Sequence, residues 1–183
     1  MIMQALPTLH RMPTTTLSSL LLSPTASVKI AVIDVRDSDH AGGHIRSSIH
    51  VPSSTLDYRL PELVRTLRSK EKVVFHCALS QQRGPGAALR YMGERQRMLG
   101  GAEAEKVKVD KKVAEEGLSG KDVKSTMGDK GKVEMVDGTQ AEEEEGKQQE
   151  VWVLDGGFVK WQEKYGTDDR LTEDYAPDIW NDY

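Results

Sequence analysis

Apolar residues along this chain fall into short unbroken runs separated by stretches of helical spacing. Lys29–Val35 (KIAVIDV) and Lys72–His76 (KVVFH) have strand length and no polar alternation, which predicts strands buried on both faces. Ile49–Val51, ahead of Pro52, and Val151–Leu154 are shorter candidates of the same kind. Between them, Leu60, Leu63, Val64 and Leu67 follow the i, i+3, i+4, i+7 spacing of a core-facing helix, with Pro61 in its first turn. Gly84–Leu99 reads as a helix with Ala87, Ala88, Tyr91 and Met92 on its apolar face. Two shorter helices are predicted: Leu17–Leu22, capped by Thr16 and closed by Ser23-Pro24, and Phe158 to about Lys164, after a Gly156-Gly157 turn. Strands and helices taking turns imply an α/β fold with a parallel sheet flanked by helices. In such sheets ligands sit outside the carboxyl ends of the strands.

Composition changes the picture at one place. Residues 101–150 hold no Phe, Trp or Tyr, nine lysines and fourteen acidic residues, and close on Glu142-Glu143-Glu144-Glu145. So little apolar area cannot offset the entropy of ordering, and the like-charge run repels itself. A disordered acidic insertion is expected over 101–150, with a short helix near Ala104–Glu116. What remains is one domain, 14–165, preceded by a frayed terminus up to about Pro13 and followed by a solvated acidic tail, 166–183. Trp152, Trp161 and Trp180 read as packing residues, the last anchoring that tail.

The formal net charge of −4 belongs to the insertion; the rest of the chain is close to neutral at +1. No basic bias points to nucleic acid, and no apolar run approaches the roughly 20 residues needed to span a bilayer. A cytoplasmic or nuclear protein is expected. A single cysteine excludes an internal disulfide and a zinc site made of several thiolates. His44, in Gly42-Gly43-His44-Ile45, has no Cys or His partner at ligand spacing and is expected to satisfy backbone groups in a turn, so neither a metal nor a cofactor is expected.

That cysteine, Cys77, directly follows the strand Val73–His76. Arg83 comes six positions later, and Gly84-Pro85 opens a helix: HCALSQQRGP. A strand, a short loop and a helix N-terminus suit an oxyanion. The N–H groups of Ala78, Leu79, Ser80, Gln81, Gln82 and Arg83 can point inward as a nest, and the helix dipole adds positive charge. Arg83 can offer a planar bidentate fork, and the same positive surroundings favour a Cys77 thiolate at the bottom of the cradle. Strand alternation turns the His76 ring away from it.

Three stretches carry a resemblance. Val32–Pro52 (VIDVRDSDHAGGHIRSSIHVP), HCALSQQRGPG and Val151–Trp161 (VWVLDGGFVKW) together resemble the rhodanese-homology domain. The branch is that of the cell-division-cycle dual-specificity tyrosine phosphatases and eukaryotic arsenate reductases. The resemblance implies a rhodanese-like fold and a loop one residue longer than in sulfurtransferases, sized for phosphate or arsenate. It implies a protein-tyrosine or dual-specificity phosphatase in which Cys77 forms a phosphocysteine and Arg83 stabilises the transferring oxygens. The alternative is an arsenate reductase; with no second Cys, glutathione or a glutaredoxin-type partner supplies the other thiol. A third reading is a non-catalytic phosphate-binding or sulfurtransferase-like module. The substrate is accordingly a phosphoprotein or a small oxyanion.

Two positions depart from the branch. Gln82 stands where the cell-cycle phosphatases carry an acidic residue, and Gly84 leaves no hydroxyl after Arg83. Asp37 and Asp39 are then the candidates for a general acid, while Asp34 and Arg36 are expected to be structural. Gly156 and Gly157 are expected to permit a tight turn beside the catalytic loop.

Overall fold

A computed structural model of the chain describes residues 9–115 and 149–180, with side chains described outside 100–115. The chain divides into two units, Met1–Leu99 with Gln148–Tyr183, and Gly100–Lys147. Every residue of the candidate site belongs to the first.

The two apolar runs become the centre of the sheet. β2 (Ile30–Asp34) pairs in parallel with β5 (Lys72–His76), Ile33 opposite Phe75 and Asp34 opposite His76. β4 (Ile49–His50) extends the sheet beyond β2, and β6 (Glu150–Leu154) pairs with β5 on the other side. β1 (His10–Met12) closes the order β1-β6-β5-β2-β4, all parallel. Of the insertion expected over 101–150, residues 101–115 lie in α4, Gln149 and Glu150 belong to the sheet domain, and 116–148 lies outside the described residues.

Period-two alternation sorts the strand side chains onto two faces. Ala31, Ile33, Val73, Phe75, Val151 and Val153 pack with α3 (Leu56–Thr66) and α4 (Arg83–Glu115) through Leu60, Leu63, Val64, Ala88 and Tyr91. Ile30, Val32, Val74 and Leu154 pack on the opposite face with Leu17 of α1 (Thr14–Leu22) and with Phe158 and Trp161 of α5 (Gly157–Tyr165). A four-residue helix, α2 (Pro24–Ser27), starts where Ser23 accepts from the Ala26 N–H. The chain re-enters the sheet at Gln149, a buried residue whose Nε2 donates to the carbonyls of Leu67 and Lys70, both at 2.7 Å. Its Oε1 accepts from the Tyr91 hydroxyl at 2.8 Å.

Several expectations are corrected. The terminus before Pro13 is not frayed throughout: His10–Met12 is an edge strand paired with Trp152–Leu154, and Met12 is buried. α1 starts at Thr14, with the Pro13 carbonyl accepting from Thr16 and Leu17, so Thr16 lies inside the helix rather than capping it. α3 starts at Leu56, which places Pro61 in the helix interior, where it removes one i→i−4 bond. α4 continues past Leu99 through Gly100-Gly101 to Glu115, because the Ala-, Glu- and Lys-rich run beyond is made of strong helix formers.

The tail is not solvated throughout: several of its acidic residues are exposed, but part of it packs on the domain. β7 (Thr172–Glu173) pairs antiparallel with β3 (His44–Ile45), and Leu171 and Thr172 are buried. Trp161 donates from Nε1 to the Thr172 hydroxyl at 3.1 Å, and Trp180 donates to the Gly42 carbonyl at 2.8 Å. Leu171→Ala is therefore expected to cost about 2–4 kcal/mol in urea unfolding, as for a core leucine. A solvated tail predicts no change.

Candidate active site

Cys77 leaves β5 at its carboxyl end, only 4% exposed and packed with the α3–α4 core. The loop then bends continuously to Gln82 before α4 begins at Arg83. Ser80 is left-handed (φ 53°) and fully buried, a conformation that costs a residue with a Cβ about 1 kcal/mol or more. It turns its N–H onto the Cys77 sulfur at 3.2 Å. Among the described residues, no acceptor meets the amide N–H of Ala78, Leu79, Gln81, Gln82 or Arg83. The loop therefore keeps five free backbone donors around the thiol and the start of a helix, the composition of an anion nest.

The loop carbonyls are held from outside. Helix α5 donates from Phe158 N to the Cys77 carbonyl at 2.9 Å and from Val159 N to the Ala78 carbonyl at 3.0 Å. Two orphan donors of one helix start thus satisfy two loop acceptors and leave the loop's own N–H groups uncommitted. The approach needs Gly157: at φ +61° a Cβ there would run into the carbonyl oxygens of Ala78 and Cys77. Gly84 has less room than its place on a helix suggests, since a Cβ would meet the His76 Cα and the Ser80 hydroxyl at 3.4 Å.

Behind α5 lies a buried ion pair. Arg36, with no exposed surface, donates from Nε and Nη2 to Asp34 at 2.9 and 2.7 Å, and from Nη2 to the Gly43 carbonyl at 2.8 Å. Its guanidinium lies 4.2 Å from the centre of the Phe158 ring. His76 is on this same face, its ring stacked toward Phe158 and away from the thiol; burial pushes its pKa down and keeps it neutral. His44 does not serve backbone groups in a turn. It stands in β3 with Nε2 3.2 Å from the Glu173 carboxylate.

Arg83 does not stand alone at the loop's end. Its Nη1 donates to Asp39 Oδ1 at 2.7 Å and to Asp37 Oδ2 at 3.1 Å, and its Nη2 donates to Asp39 Oδ2 at 2.5 Å. Asp37 is itself held by the Ser53 hydroxyl (2.5 Å) and the Ser54 N–H (3.1 Å). The Arg83 hydrogen bonds, against a smaller opposing effect of burial, lower the Asp39 carboxyl from 3.8 to about 2. The Ser53 hydroxyl, followed by the Ser54 amide and Arg83, lowers Asp37 as well. Hydrogen bonding thus favours the carboxylate form of both side chains, which counts against either as the general acid.

Arg11 was not anticipated. Its Nη1 donates to the Ser80 carbonyl at 3.2 Å and lies 3.8 Å from Asp155. Nothing local in the sequence signals this, because only the pairing of β1 with β6 brings Arg11 to the loop. Two depressions share Ile30: one of about 280 Å³ at the amino ends of β2 and β5, and one of about 320 Å³ lined by β2 with Arg46, Ser47 and Arg170; neither touches the Cys77 loop.

The rhodanese-like domain model matches residues 18–108. Over 160 residues the chain is 32% identical to the CDC25-like phosphatase YCH1 of Saccharomyces cerevisiae, covering 81% of this chain and 76% of that protein. The chain belongs to the rhodanese-like domain family. Arsenate reductase 2.2 of Oryza sativa subsp. japonica is 48% identical over 65 residues, 35% of this chain and half of that protein. The solved structure of Ygr203w, described as a yeast protein tyrosine phosphatase of the rhodanese family, matches with a TM-score of 0.62 at 27% identity, over 97% of this chain and 100% of that one. Among the described residues of this rhodanese-like chain, no helix is long and apolar enough to cross a membrane.

Two outcomes test this geometry. The Asp39–Arg83 pair is complete above the ordinary aspartate range and is lost only as pH falls through about 2. Carboxyl ¹³C titration of Asp39 should accordingly show no protonation step between pH 4 and 8. Gly157→Ala should cost more than about 1 kcal/mol in urea unfolding. Gly86→Ala, where a Cβ meets nothing within 4 Å, should be neutral or stabilising.

Proposed function

We propose that this rhodanese-like protein is a Cys-dependent phosphatase acting on aryl phosphates, with protein phosphotyrosine as the substrate class and dual-specificity phosphatases as its kin. The catalytic domain is read as the 14–165 core joined by β1 and by the tail as far as β7, with the insertion lying inside 101–148, Cys77 as the nucleophile and Ala78–Arg83 as the oxyanion-binding segment. One observation carries the reading: a thiol at the base of a strand–loop–helix turn, five of whose amide donors meet no acceptor among the described residues, with Arg83 at its end.

The Cys77 thiolate attacks phosphorus as the P–O bond to the leaving group breaks, giving a phosphocysteine and an alkoxide or aryloxide. Water then attacks phosphorus, releasing inorganic phosphate and restoring the thiol. Negative charge on the equatorial oxygens is met by the loop N–H groups and Arg83. With Asp37 and Asp39 both ionised and Gln82 unable to donate as an acid, leaving groups that depart as stable anions react fastest. Aryl phosphates therefore precede serine and threonine phosphates.

That same lack of a proton donor, together with the likeness to the rice arsenate reductase, supports a second reading. Cys77 adds to arsenate with loss of hydroxide or water. Two external thiols from glutathione, or from glutathione and a glutaredoxin, then reduce arsenic from +5 to +3, releasing arsenite and a disulfide. Both readings share a tetrahedral oxyanion substrate and the same nucleophile.

Purified protein should release p-nitrophenolate from p-nitrophenyl phosphate, and Cys77→Ser should lower that rate at least about 10³-fold. The same two proteins, given arsenate, glutathione and glutaredoxin, decide the second reading by Cys77-dependent arsenite. Arsenite without phosphate release replaces the first reading with the second, and neither product removes both.

A further inference from the structure

The clamp on Arg83 leaves one edge of its guanidinium open. A guanidinium has five N–H donors, arranged as an end-on edge shared by Nη1 and Nη2, a side-on edge shared by Nε and Nη2, and one outer hydrogen on Nη1. Asp39 takes the end-on edge with both oxygens, at 2.7 and 2.5 Å. Asp37 takes the outer Nη1 hydrogen at 3.1 Å. Among the described residues, nothing accepts from Nε. The side-on edge is therefore the remaining place for two parallel hydrogen bonds to an oxyanion.

The clamp is itself rigidly mounted. Asp39 Oδ1 also accepts from the Asp37 N–H at 2.9 Å, and Asp37 is fixed by Ser53 and Ser54 at the start of the turn into α3. Both carboxylates belong to the loop after β2, at the carboxyl end of the sheet where Cys77 emerges. Their effect on Arg83 is strong: Asp39 first, then Asp37, with Cys77 contributing, raise its already high pKa and hold it as a cation.

We propose that Asp37 and Asp39 are positioning residues that hold Arg83 with its Nε/Nη2 edge presented to the oxyanion in the Cys77 loop. The proposal rests on the catalytic reading of that loop and adds the device that aims its cation. A free arginine side chain must lose rotamer entropy when it engages substrate; a clamped one has already lost it. Two carboxylates also outweigh the single guanidinium charge, so the clamp sets geometry rather than raising the positive potential.

The test combines binding with turnover in the full chain. Tungstate affinity by calorimetry and p-nitrophenyl phosphate kinetics are measured on wild type, Asp39→Asn, Asp37→Asn and Asp39→Glu, with thermal unfolding as the control for folding. The Arg83 Nε–H resonance is followed by ¹⁵N-arginine NMR. For Asp39→Asn we expect weaker tungstate binding, a loss in kcat approaching about 10²-fold, partial rescue in Asp39→Glu, and a broadened Nε–H signal that no longer shifts sharply with tungstate. Asp37→Asn should move in the same direction by less.

Tighter tungstate binding or faster turnover in Asp39→Asn overturns the proposal, because the carboxylates would then be withholding Arg83 from the anion. So does a wild-type Nε–H that tungstate leaves unmoved. If wild type binds tungstate through Arg83 but turns over no phosphate, the positioning role stands and the phosphatase reading falls. Turnover that survives Asp39→Asn unchanged sinks the positioning role alone.

Discussion

The buried pair of Asp34 and Arg36 is the interaction on which the rest of the site hangs. Two opposite charges with no exposed surface are tolerated only because the guanidinium donates to both Asp34 oxygens and to backbone carbonyls as well. Those carbonyls belong to Ala41 and Gly43, so the pair shapes the turn into β3. The same guanidinium lies on Phe158, the residue whose N–H holds the Cys77 carbonyl. One ion pair thereby joins the end of β2, the Gly42-Gly43 turn, the start of α5 and the cysteine loop. Removing one partner would strand an uncompensated charge, a defect of about 3–5 kcal/mol.

The loop is served by two helix starts with different tasks. α4 begins within it and leaves amide donors free, whereas α5 approaches from behind and spends its first donors on loop carbonyls. Both positive dipole ends converge there. The fold can therefore stabilise an anion through backbone groups alone, with Arg83 adding direction. That division explains how a cradle can work although Arg83 is paired with two carboxylates.

The long apolar strands and the helices between them were legible because five or more buried residues in a row, or a full i to i+7 pattern, leave little room for another reading. β1, β3 and β7 were not: two or three residues carry no period, and their stability comes from partners distant in the chain, as with His44 and Glu173. Cys77 and its loop stood out because the chemistry is local, one thiol followed by a turn and a helix start. The pairing of Asp37 and Asp39 with Arg83 was not legible, because what a carboxylate does depends on what faces it, here an arginine more than forty positions away. Arg11 was invisible for the same reason.

Gln149 gives the architecture a further property. It fastens the returning chain through three hydrogen bonds, all to residues that precede the insertion, and Glu150 then enters the sheet opposite Lys72, at the far end of β5 from Cys77. The fold recognises where the crossover ends without gauging how many residues it contains. Closing a loop costs free energy only as the logarithm of its length, about 0.6 kcal/mol per doubling. Insert length therefore carries little free energy of its own, and the closure at Gln149 insulates the geometry around Cys77 from it.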